Sequence, residues 1–378
     1  MPHSLTKGAR ARPRSRLSLG VLPLRAALTV ALLVLAACAR ARPADGAGSA
    51  MRSTRVDSSH VHALVSALAA DSMQGRRTGT PGSARAARWI AGEMSRIGLT
   101  PAGDSGYFQH VPLYEAQRTV GGQVRLAPAL ASSFAARDTF PVSQRLAGAN
   151  LVGILRGSDP ALAHEAVLVD AHYDHLGIGA VADGDSIFNG ADDDASGTVA
   201  VLEIARVMAA GPRPRRTVIF LATTGEEVGL LGTRWYIQHP VVPLDSTVAN
   251  LEIEMIGRPD SMAGGRGRGW LTGYERSTMG EALAAAGIPL VADRRLDQNF
   301  FMRSDNIAFA RLGIPAHTLS SYNMHTDYHR RTDEVSRLDA GHMALVIDAA
   351  ARAVRLLADG PKPEWKPGGR PEPATPRR

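Results

Sequence analysis

The chain has 378 residues, 44% of them apolar and 21% charged, which is typical of a globular protein with one large or two small domains. The net charge of +7 does not indicate a nucleic-acid-binding protein, because six basic residues and no acidic residue lie in residues 1–37. Without these six, 37 basic residues face 36 acidic ones, a charge of about +1. Cys38 is the only cysteine, which excludes an intramolecular disulfide and leaves histidines and carboxylates as the ligands for any metal.

The N-terminal segment has the pattern of a targeting sequence. An arginine-rich stretch precedes an apolar run from Ala26 to Ala37, which is shorter than a membrane span. The run ends in Leu-Ala-Ala-Cys38, which resembles the bacterial lipoprotein signal; an ordinary secretory signal cleaved elsewhere is the alternative. We predict a signal peptide over 1–37 and a flexible tether over 38–56. The protein would then be exported and attached through a lipidated Cys38 to the bacterial membrane, facing the periplasm or cell surface.

The rest of the chain predicts alternating helices and buried strands. Helical spacing of apolar residues covers roughly 57–69, 83–97, 197–210, 277–286 and 341–357, and apolar runs typical of buried strands cover 166–170, 217–221 and 248–255. Residues 108–150 indicate strands and irregular connections. The pattern predicts an α/β three-layer sandwich with a mixed, mostly parallel central sheet and helices on both faces. We expect one domain over 57–360 and a disordered proline-rich tail over 361–378.

Histidines and acids follow successive predicted strands. The strand ends lead into His172-Tyr-Asp174-His175, Gly-Glu226-Glu227 and Glu254-Met-Ile-Gly; the helix beginning at Gly197 follows Asn-Gly-Ala-Asp-Asp193-Asp, and His325-Thr-Asp-Tyr-His329 lies nearer the C-terminus. In an open α/β sheet, the carboxyl ends of parallel strands meet at one edge. Three adjacent aspartates would repel each other unless a cation offsets their charge. The order of these groups along the chain therefore predicts a metal site at this edge.

Together, these motifs resemble peptidase family M28, whose members include bacterial leucyl aminopeptidases with two catalytic zinc ions. The resemblance covers roughly residues 57–357 and extends to Met-Gln-Gly-Arg-Arg-Thr-Gly-Thr at 73–80, Gly-Leu-Thr-Pro-Ala-Gly-Asp at 98–104 and Arg-Ser-Asp at 303–305. It implies two Zn²⁺ ions per chain, one held by His172, Asp193 and Glu254. The other would be held by Asp193, Glu227 and His329, so that Asp193 bridges the two ions.

The same resemblance implies roles for the neighbouring residues. Asp174 would accept a hydrogen bond from the ring of His172 and orient it. Glu226 would be the general base, and the two ions would polarise the scissile carbonyl and lower the pKa of water. Because neighbouring residues of an extended strand face opposite ways, Glu226 and Glu227 can reach one site only if the chain turns, which Gly225 and Gly229 permit. A cis peptide is expected at Asp193–Asp194.

Several positions depart from the family pattern or compete for a role. Glu254 stands where many relatives have Asp, and Asn306 stands where they often have His. Phe301 occupies the position of a tyrosine that helps to polarise the carbonyl in some relatives, which leaves Tyr322, or no residue, to replace it. A rival for one ligand position, His325, lacks the family spacing of His and Asp that His329 and Asp333 have. His175 is expected to be structural or to support a ligand.

The leading interpretation is a zinc-dependent aminopeptidase that acts on peptide substrates and binds no nucleic acid. The alternatives are a carboxypeptidase, a dipeptidase or a glutaminyl-cyclase-like enzyme on the same fold, and a non-catalytic metal-binding protein. The full ligand set argues against the cyclase, which typically uses a single zinc, and Glu226 argues against the non-catalytic protein. The preferred side chain of the substrate, the end of the peptide that is attacked and the oligomeric state cannot be inferred from these residues.

Overall fold

The computed structural model describes residues 53–120 and 122–373. The predicted signal peptide and Cys38 lie outside the described residues, as does nearly all of the predicted tether. Within the described part of the chain, no helix combines the length and apolarity needed to cross a membrane. The domain limits of 57 and 360 remain predictions.

The described residues form eight α-helices and fourteen strands. The helices are α1 Ser58–Leu68, α2 Pro81–Ile97, α3 Phe134–Arg137, α4 Gly197–Ala210, α5 Leu231–Gln238, α6 Met279–Ala285, α7 Asn306–Leu312 and α8 Ala340–Asp359. The strands are β1 Thr100–Pro101, β2 Phe108–His110, β3 Leu113–Val120, β4 Gln123–Leu130, β5 Arg145–Leu146, β6 Ala149–Leu155, β7 Ala166–His172, β8 Gly177–Ala182, β9 Asp185–Phe188, β10 Thr217–Thr223, β11 Thr247–Ile253, β12 Gly269–Leu271, β13 Leu290–Ala292 and β14 Ala316–Ser320. Short 3₁₀ turns connect several of them.

A nine-stranded mixed sheet organises the molecule. Its order is β1-β6-β10-β7-β11-β14-β12-β13, with β2 also pairing with β6. The central strands β10, β7, β11 and β14 are parallel, and β6 and β12 join this centre in antiparallel fashion. Because the central strands are parallel, their carboxyl ends lie along one edge of the sheet. Two smaller antiparallel sheets, β4-β3-β5 and β8-β9, complete the strands.

Alternation along the central strands builds a core on each face of the sheet. In β7, Val167 and Val169 pack into one core with residues of α1, α2, α4 and α8, whereas Leu168 packs into the other with residues of α5 and α7. Successive strand side chains point to opposite faces, which is why a continuous apolar run suits a strand covered on both sides. This arrangement confirms the predicted α/β sandwich with helices on both faces.

Local signals placed the helix ends close to their observed positions. The Asp57 side chain accepts a hydrogen bond from the His60 backbone N–H and so caps α1. Gly98 follows α2 with a positive φ of 84°, a conformation that glycine adopts without the clash of a Cβ atom. The helix predicted from residue 197 to 210 is α4 over that same range.

The C-terminal segment differs from the predicted disordered tail over residues 361–373. The Trp365 indole N–H donates to the Gly313 carbonyl at 2.8 Å, and the ring lies edge-on to Phe301 at 6.4 Å. The Glu364 backbone N–H donates to the Thr278 hydroxyl at 2.9 Å. Proline-rich composition predicts an open chain, but one tryptophan supplies enough apolar surface to hold such a segment against a domain. Residues 374–378 lie outside the described part of the chain.

A fully buried arginine, Arg76, fastens the loops at the carboxyl edge to α1. Its guanidinium donates to the carbonyls of Tyr173 at 2.7 Å, Asn189 at 2.6 Å, Gly190 at 2.8 Å and Leu68 at 3.2 Å. Burial lowers the pKa of Arg76 to about 10, while nearby carboxylates act in the opposite direction, so the side chain is charged at neutral pH. One cation thus satisfies carbonyls from the loops that follow β7 and β9.

We expect Arg76→Met to lower the free energy of unfolding of the metal-free protein by about 3–5 kcal/mol, because four buried carbonyls lose their donors. Urea denaturation followed by circular dichroism measures this change. Arg88→Met is the matched control, since Arg88 is exposed on α2, and its effect should stay within about 0.5 kcal/mol. Equal effects of the two substitutions would contradict the assigned role of Arg76.

Candidate metal centre

The predicted ligands converge at the carboxyl edge of the parallel strands. β7 ends at His172, the turn after β10 carries Glu226 and Glu227, and Glu254 follows β11 directly. Asp193 lies in the irregular turn Ala191–Ser196 that precedes α4, and the loop between β14 and α8 carries His329. Five separate segments therefore meet at one place, as the strand order requires.

One group of candidate ligands is His172, Asp193 and Glu254. One nitrogen or oxygen of each lies within 4.8 Å of the others, and the His172 Nε2 is 3.4 Å from Asp193 Oδ1. The His172 side chain is buried, and its Nε2 atom has no hydrogen-bond partner among the described residues. The structure thus brings the predicted first ligand set together.

A second group surrounds the other oxygen of Asp193. The His329 Nε2 lies 3.1 Å from Asp193 Oδ2 and 3.2 Å from Glu227 Oε2, as the predicted second ligand set requires. His175 is buried beside the same atoms, with its Nδ1 at 2.8 Å from Glu227 Oε1 and 3.7 Å from Asp193 Oδ2. His175, Asp193 and Glu227 also form a group with ligand atoms within 4.8 Å. Sequence analysis gave His175 a structural or supporting role. Its position three residues after His172 was the one sequence signal that it lies near the ligands.

The chemistry of this cluster fits a cation. Burial, together with the neighbouring Glu252, raises the pKa of Glu254 to about 8. For Asp193, burial favours protonation, but His175, His172 and His329 hold the pKa of its carboxyl well below the usual range. The Asp193 Oδ2 atom is nevertheless buried without a hydrogen-bond partner among the described residues. Buried carboxylates facing imidazole nitrogens are the donor set that zinc prefers in proteins lacking cysteine ligands.

Hydrogen bonds to the backbone explain why Asp193, and not its neighbours, faces the cluster. The Asp192 carboxylate accepts from the Gly257 N–H at 2.7 Å, and the Asp194 carboxylate accepts from the Gly197 N–H at 2.9 Å and the Met255 N–H at 3.0 Å. Both side chains are therefore occupied in holding the loop. The predicted cis peptide at Asp193–Asp194 is confirmed.

Two further groups support this loop. The Asp333 carboxylate accepts from the backbone N–H groups of Asp192 and Asp193, each at 3.0 Å. His325, the rival of His329, lies 2.9 Å from Asp192 Oδ2 and belongs to neither ligand group. The structure thus places His329 against the cluster and His325 behind it.

Asp174 has a different partner from the one predicted. The His172 Nδ1 lies 3.1 Å from the backbone carbonyl of Asp174, whereas the carboxylate Oδ1 is 3.8 Å away. The carboxylate instead accepts from the Thr78 hydroxyl at 2.8 Å and from the Glu226 backbone N–H at 3.2 Å. Asp174 therefore positions Glu226 through its backbone, in addition to supporting His172.

The turn predicted at Glu226 and Glu227 is confirmed. Gly225 and Gly229 have positive φ values of 78° and 109°, and the Glu226 carbonyl accepts from the Gly229 N–H at 2.9 Å. Both glutamates consequently line the same cleft. Burial raises the pKa of Glu226 well above its usual value, in the direction that suits a group which exchanges protons near neutral pH.

The walls of this cleft contain residues that sequence reasoning did not single out. Alongside the acids and Tyr322, the predicted candidate donor, it is lined by Trp270, Phe300, Arg303 and Tyr328. The Tyr328 ring stacks on His329 with centroids 3.9 Å apart. These residues come from strand β12 and from loops and short turns distant in the sequence, and only their joint position identifies them as cleft residues.

Phe301, which stands where some relatives have a tyrosine, does not line the cleft. It packs in the core that contains α5 and α7, whereas its neighbour Phe300 packs against Trp270 and Tyr322. Tyr322, the predicted candidate for a replacement donor, does line the cleft and is mostly buried.

Comparison with known proteins supports the family and the fold. The model of peptidase family M28 matches residues 150–354. A probable zinc metalloprotease of Leptosphaeria maculans is 34% identical over 181 residues, which are 47% of this chain and 36% of that protein. The vacuolar membrane protease of Tuber melanosporum is 30% identical over 168 residues, 42% of this chain and 16% of that protein. The chain thus matches about a third or less of the length of these relatives.

These relatives contradict the predicted location on a bacterial membrane facing the periplasm or cell surface. Five relatives of this chain, including the Tuber melanosporum protein, are vacuolar membrane proteases of fungi. The prediction depended on the segment before Cys38, which lies outside the described residues. A basic stretch followed by an apolar run directs export in many kinds of cell, so this pattern alone does not specify a bacterial lipid anchor.

Among solved structures, a zinc aminopeptidase from Bacillus subtilis has a TM-score of 0.59 and 16% identity, covering 82% of this chain and 97% of that one. At this identity the likeness establishes the fold, and it agrees with the α/β sandwich described above. The family match covers more than half of the chain and includes every candidate ligand described above. The chain therefore belongs to peptidase family M28, a family of zinc metallopeptidases.

Proposed function

We propose that this protein hydrolyses peptide bonds as an aminopeptidase that binds two zinc ions. One observation carries the proposal: the two oxygens of Asp193 face two different groups of ligands, while Glu226 lines the same cleft and belongs to neither group. A shared carboxylate with an uncoordinated glutamate beside it suits hydrolysis assisted by two metal ions.

The first ion would be held by His172, Asp193 and Glu254, and the second by Asp193, Glu227 and His329. When bound, the ions would supply Lewis acidity for the scissile carbonyl and for water. His175 would keep Glu227 in place, since its Nδ1 lies 2.8 Å from a glutamate oxygen. The net ligand charge of −3 against +4 leaves a positive centre that favours an anionic oxygen.

Glu226 would act as the general base and then as the general acid. Its carboxylate takes a proton from the attacking water and delivers it to the amine that leaves. The Asp174 carboxylate holds the Glu226 backbone at 3.2 Å, so the base is fixed at the cleft. Of the aromatic residues that line the cleft, Tyr322 is the candidate to donate a hydrogen bond to the carbonyl.

The B. subtilis structure, described as a zinc aminopeptidase, supports attack at the N-terminus of the substrate, because it shares the fold over nearly all of its own length. A carboxypeptidase, a dipeptidase and a glutaminyl-cyclase-like enzyme are the outcomes that the following experiment separates.

We expect about two zinc ions per chain by elemental analysis, and chelator-sensitive release of nitroaniline from a panel of aminoacyl-4-nitroanilides. Readdition of zinc should restore the activity, because the ligands remain in place. Two zinc ions with hydrolysis only of blocked peptides or dipeptides would replace the aminopeptidase with one of its alternatives. A single ion with cyclisation of N-terminal glutamine would contradict the proposal.

Glu226→Gln should retain both zinc ions and lower kcat by about 10²–10⁴-fold, because the amide cannot accept a proton. KM should change little, since Glu226 is not a ligand in either group. Glu275→Gln is the matched control on the surface and should leave kcat unchanged. Activity close to that of the unsubstituted enzyme would exclude Glu226 as the base.

The three histidines near the second ion should differ in their effect on metal content. His329→Ala should leave about one zinc ion per chain, because it removes a ligand. His175→Gln should retain two ions with affinity for the second lowered by about 10–100-fold, as expected for a residue that supports a ligand. His325→Gln, on the far side of Asp192, should leave the zinc content unchanged. Loss of one ion in His175→Gln and none in His329→Ala would exchange the two roles.

A further inference from the structure

The cleft that contains the candidate metal centre is lined by an arginine that has no acidic partner among the described residues. Arg303 is the only lysine or arginine among the cleft residues, which include Asp193, Glu226, Glu227 and Glu254. Among the described residues, its side chain forms neither an ion pair nor a hydrogen bond, and its guanidinium carbon lies over the face of Phe300, 5.0 Å from the ring centroid. The side chain is exposed to solvent.

The backbone that carries Arg303 is tied to the strand that carries Glu254. The carboxylate of Glu252, which is buried two residues before Glu254 on β11, accepts from the backbone N–H groups of Asp305 and Asn306, each at 3.0 Å. The Ser304 hydroxyl donates to the same carboxylate. These hydrogen bonds hold the residues before and at the start of α7 close to β11, so the backbone of Arg303 is held near Glu254.

Aromatic side chains fix the direction of the arginine. The Phe300 ring under the guanidinium is itself stacked on Trp270 at 5.1 Å and meets Tyr322 at 5.9 Å, and all three rings are buried. A guanidinium on an aromatic face keeps its N–H donors free at its edge. Burial raises the pKa of Tyr322, and the positive charge of Arg303 acts in the opposite direction, as expected for a guanidinium near this tyrosine.

Charge decides which part of a substrate this arginine can meet. The ammonium group of a peptide substrate is attracted to carboxylates and repelled by a guanidinium, so Arg303 does not belong to the site of the free amine. A planar fork of N–H donors without an acid matches a carboxylate. We infer that Arg303 forms a carboxylate-binding subsite of the cleft, so that the enzyme favours peptides with a carboxylate near the scissile bond.

Two parts of a peptide can supply that carboxylate: an acidic side chain of the first residue, or the free C-terminus of a dipeptide. Both would favour the same arginine, and both predict discrimination against basic residues. The inference rests on the proposed function and specifies its substrate class.

Two matched peptide pairs separate these sources. Glu-Ala-amide against Gln-Ala-amide tests the side chain, and Leu-Ala against Leu-Ala-amide tests the C-terminus. We expect kcat/KM to favour the carboxylate in one pair by about tenfold to hundredfold, as a charge-assisted hydrogen bond contributes. Arg303→Met should remove this preference while the uncharged peptide of the pair keeps its kcat/KM within about threefold. Arg303→Lys should keep part of the preference, because the charge remains.

Arg294→Met is the matched control, since Arg294 is exposed and does not line the cleft. Binding of the same four peptides to the zinc-loaded Glu226→Gln protein, measured by calorimetry, tests the subsite without turnover. If no peptide is hydrolysed but the carboxylate preference in binding depends on Arg303, the proposed function fails and the subsite stands. The subsite is overturned if neither pair shows a preference, or if Arg303→Met leaves the preference unchanged.

Discussion

Repulsion among carboxylates at one edge of the sheet is the constraint on which the rest of the site depends. Asp193, Glu226, Glu227 and Glu254 line a single cleft, and three imidazoles lie close to Asp193. Acids packed in this way are stable only if positive charge is near or if protons are taken up. Burial raises the pKa of Glu254 to about 8, and repulsion by Glu252 and Asp193 acts in the same direction. Bound cations would offset the repulsion, so the same clustered charges favour metal binding.

The protein positions this charge through its backbone more than through its side chains. Arg76 binds four carbonyls in the segments around the ligands, and Asp333 receives the N–H groups of Asp192 and Asp193. Backbone groups cannot rotate away as long side chains do, so a ligand held in this manner loses little entropy on metal binding. The surrounding aspartates show the same division: their carboxylates hold the loop, and Asp193 is left to face the ligands.

The cleft connects the metal centre to the groups that would select a substrate. β11 contributes Glu254 to one ligand group and, two residues earlier, Glu252 to the segment that carries Arg303. Residues of a strand separated by two lie on the same face, which is why one strand can serve both groups. Chemistry and recognition are thus built on a common rigid element, as precise sites generally require.

Much of this architecture could be predicted from local sequence. Helices α1, α2 and α4, strands β7, β10 and β11 and the ligand segments follow from apolar periodicity, caps and acids at strand ends, because these signals act over a few residues. Other features depended on contacts between distant segments. His175 contacts Glu227, Trp365 docks on Gly313 instead of leaving a free tail, and Asp174 turns its carboxylate toward Thr78. Glu252 of β11 binds the three residues that follow Arg303, which lines the cleft. Such pairings depend on how the sheet is assembled, and no window of the sequence contains both partners.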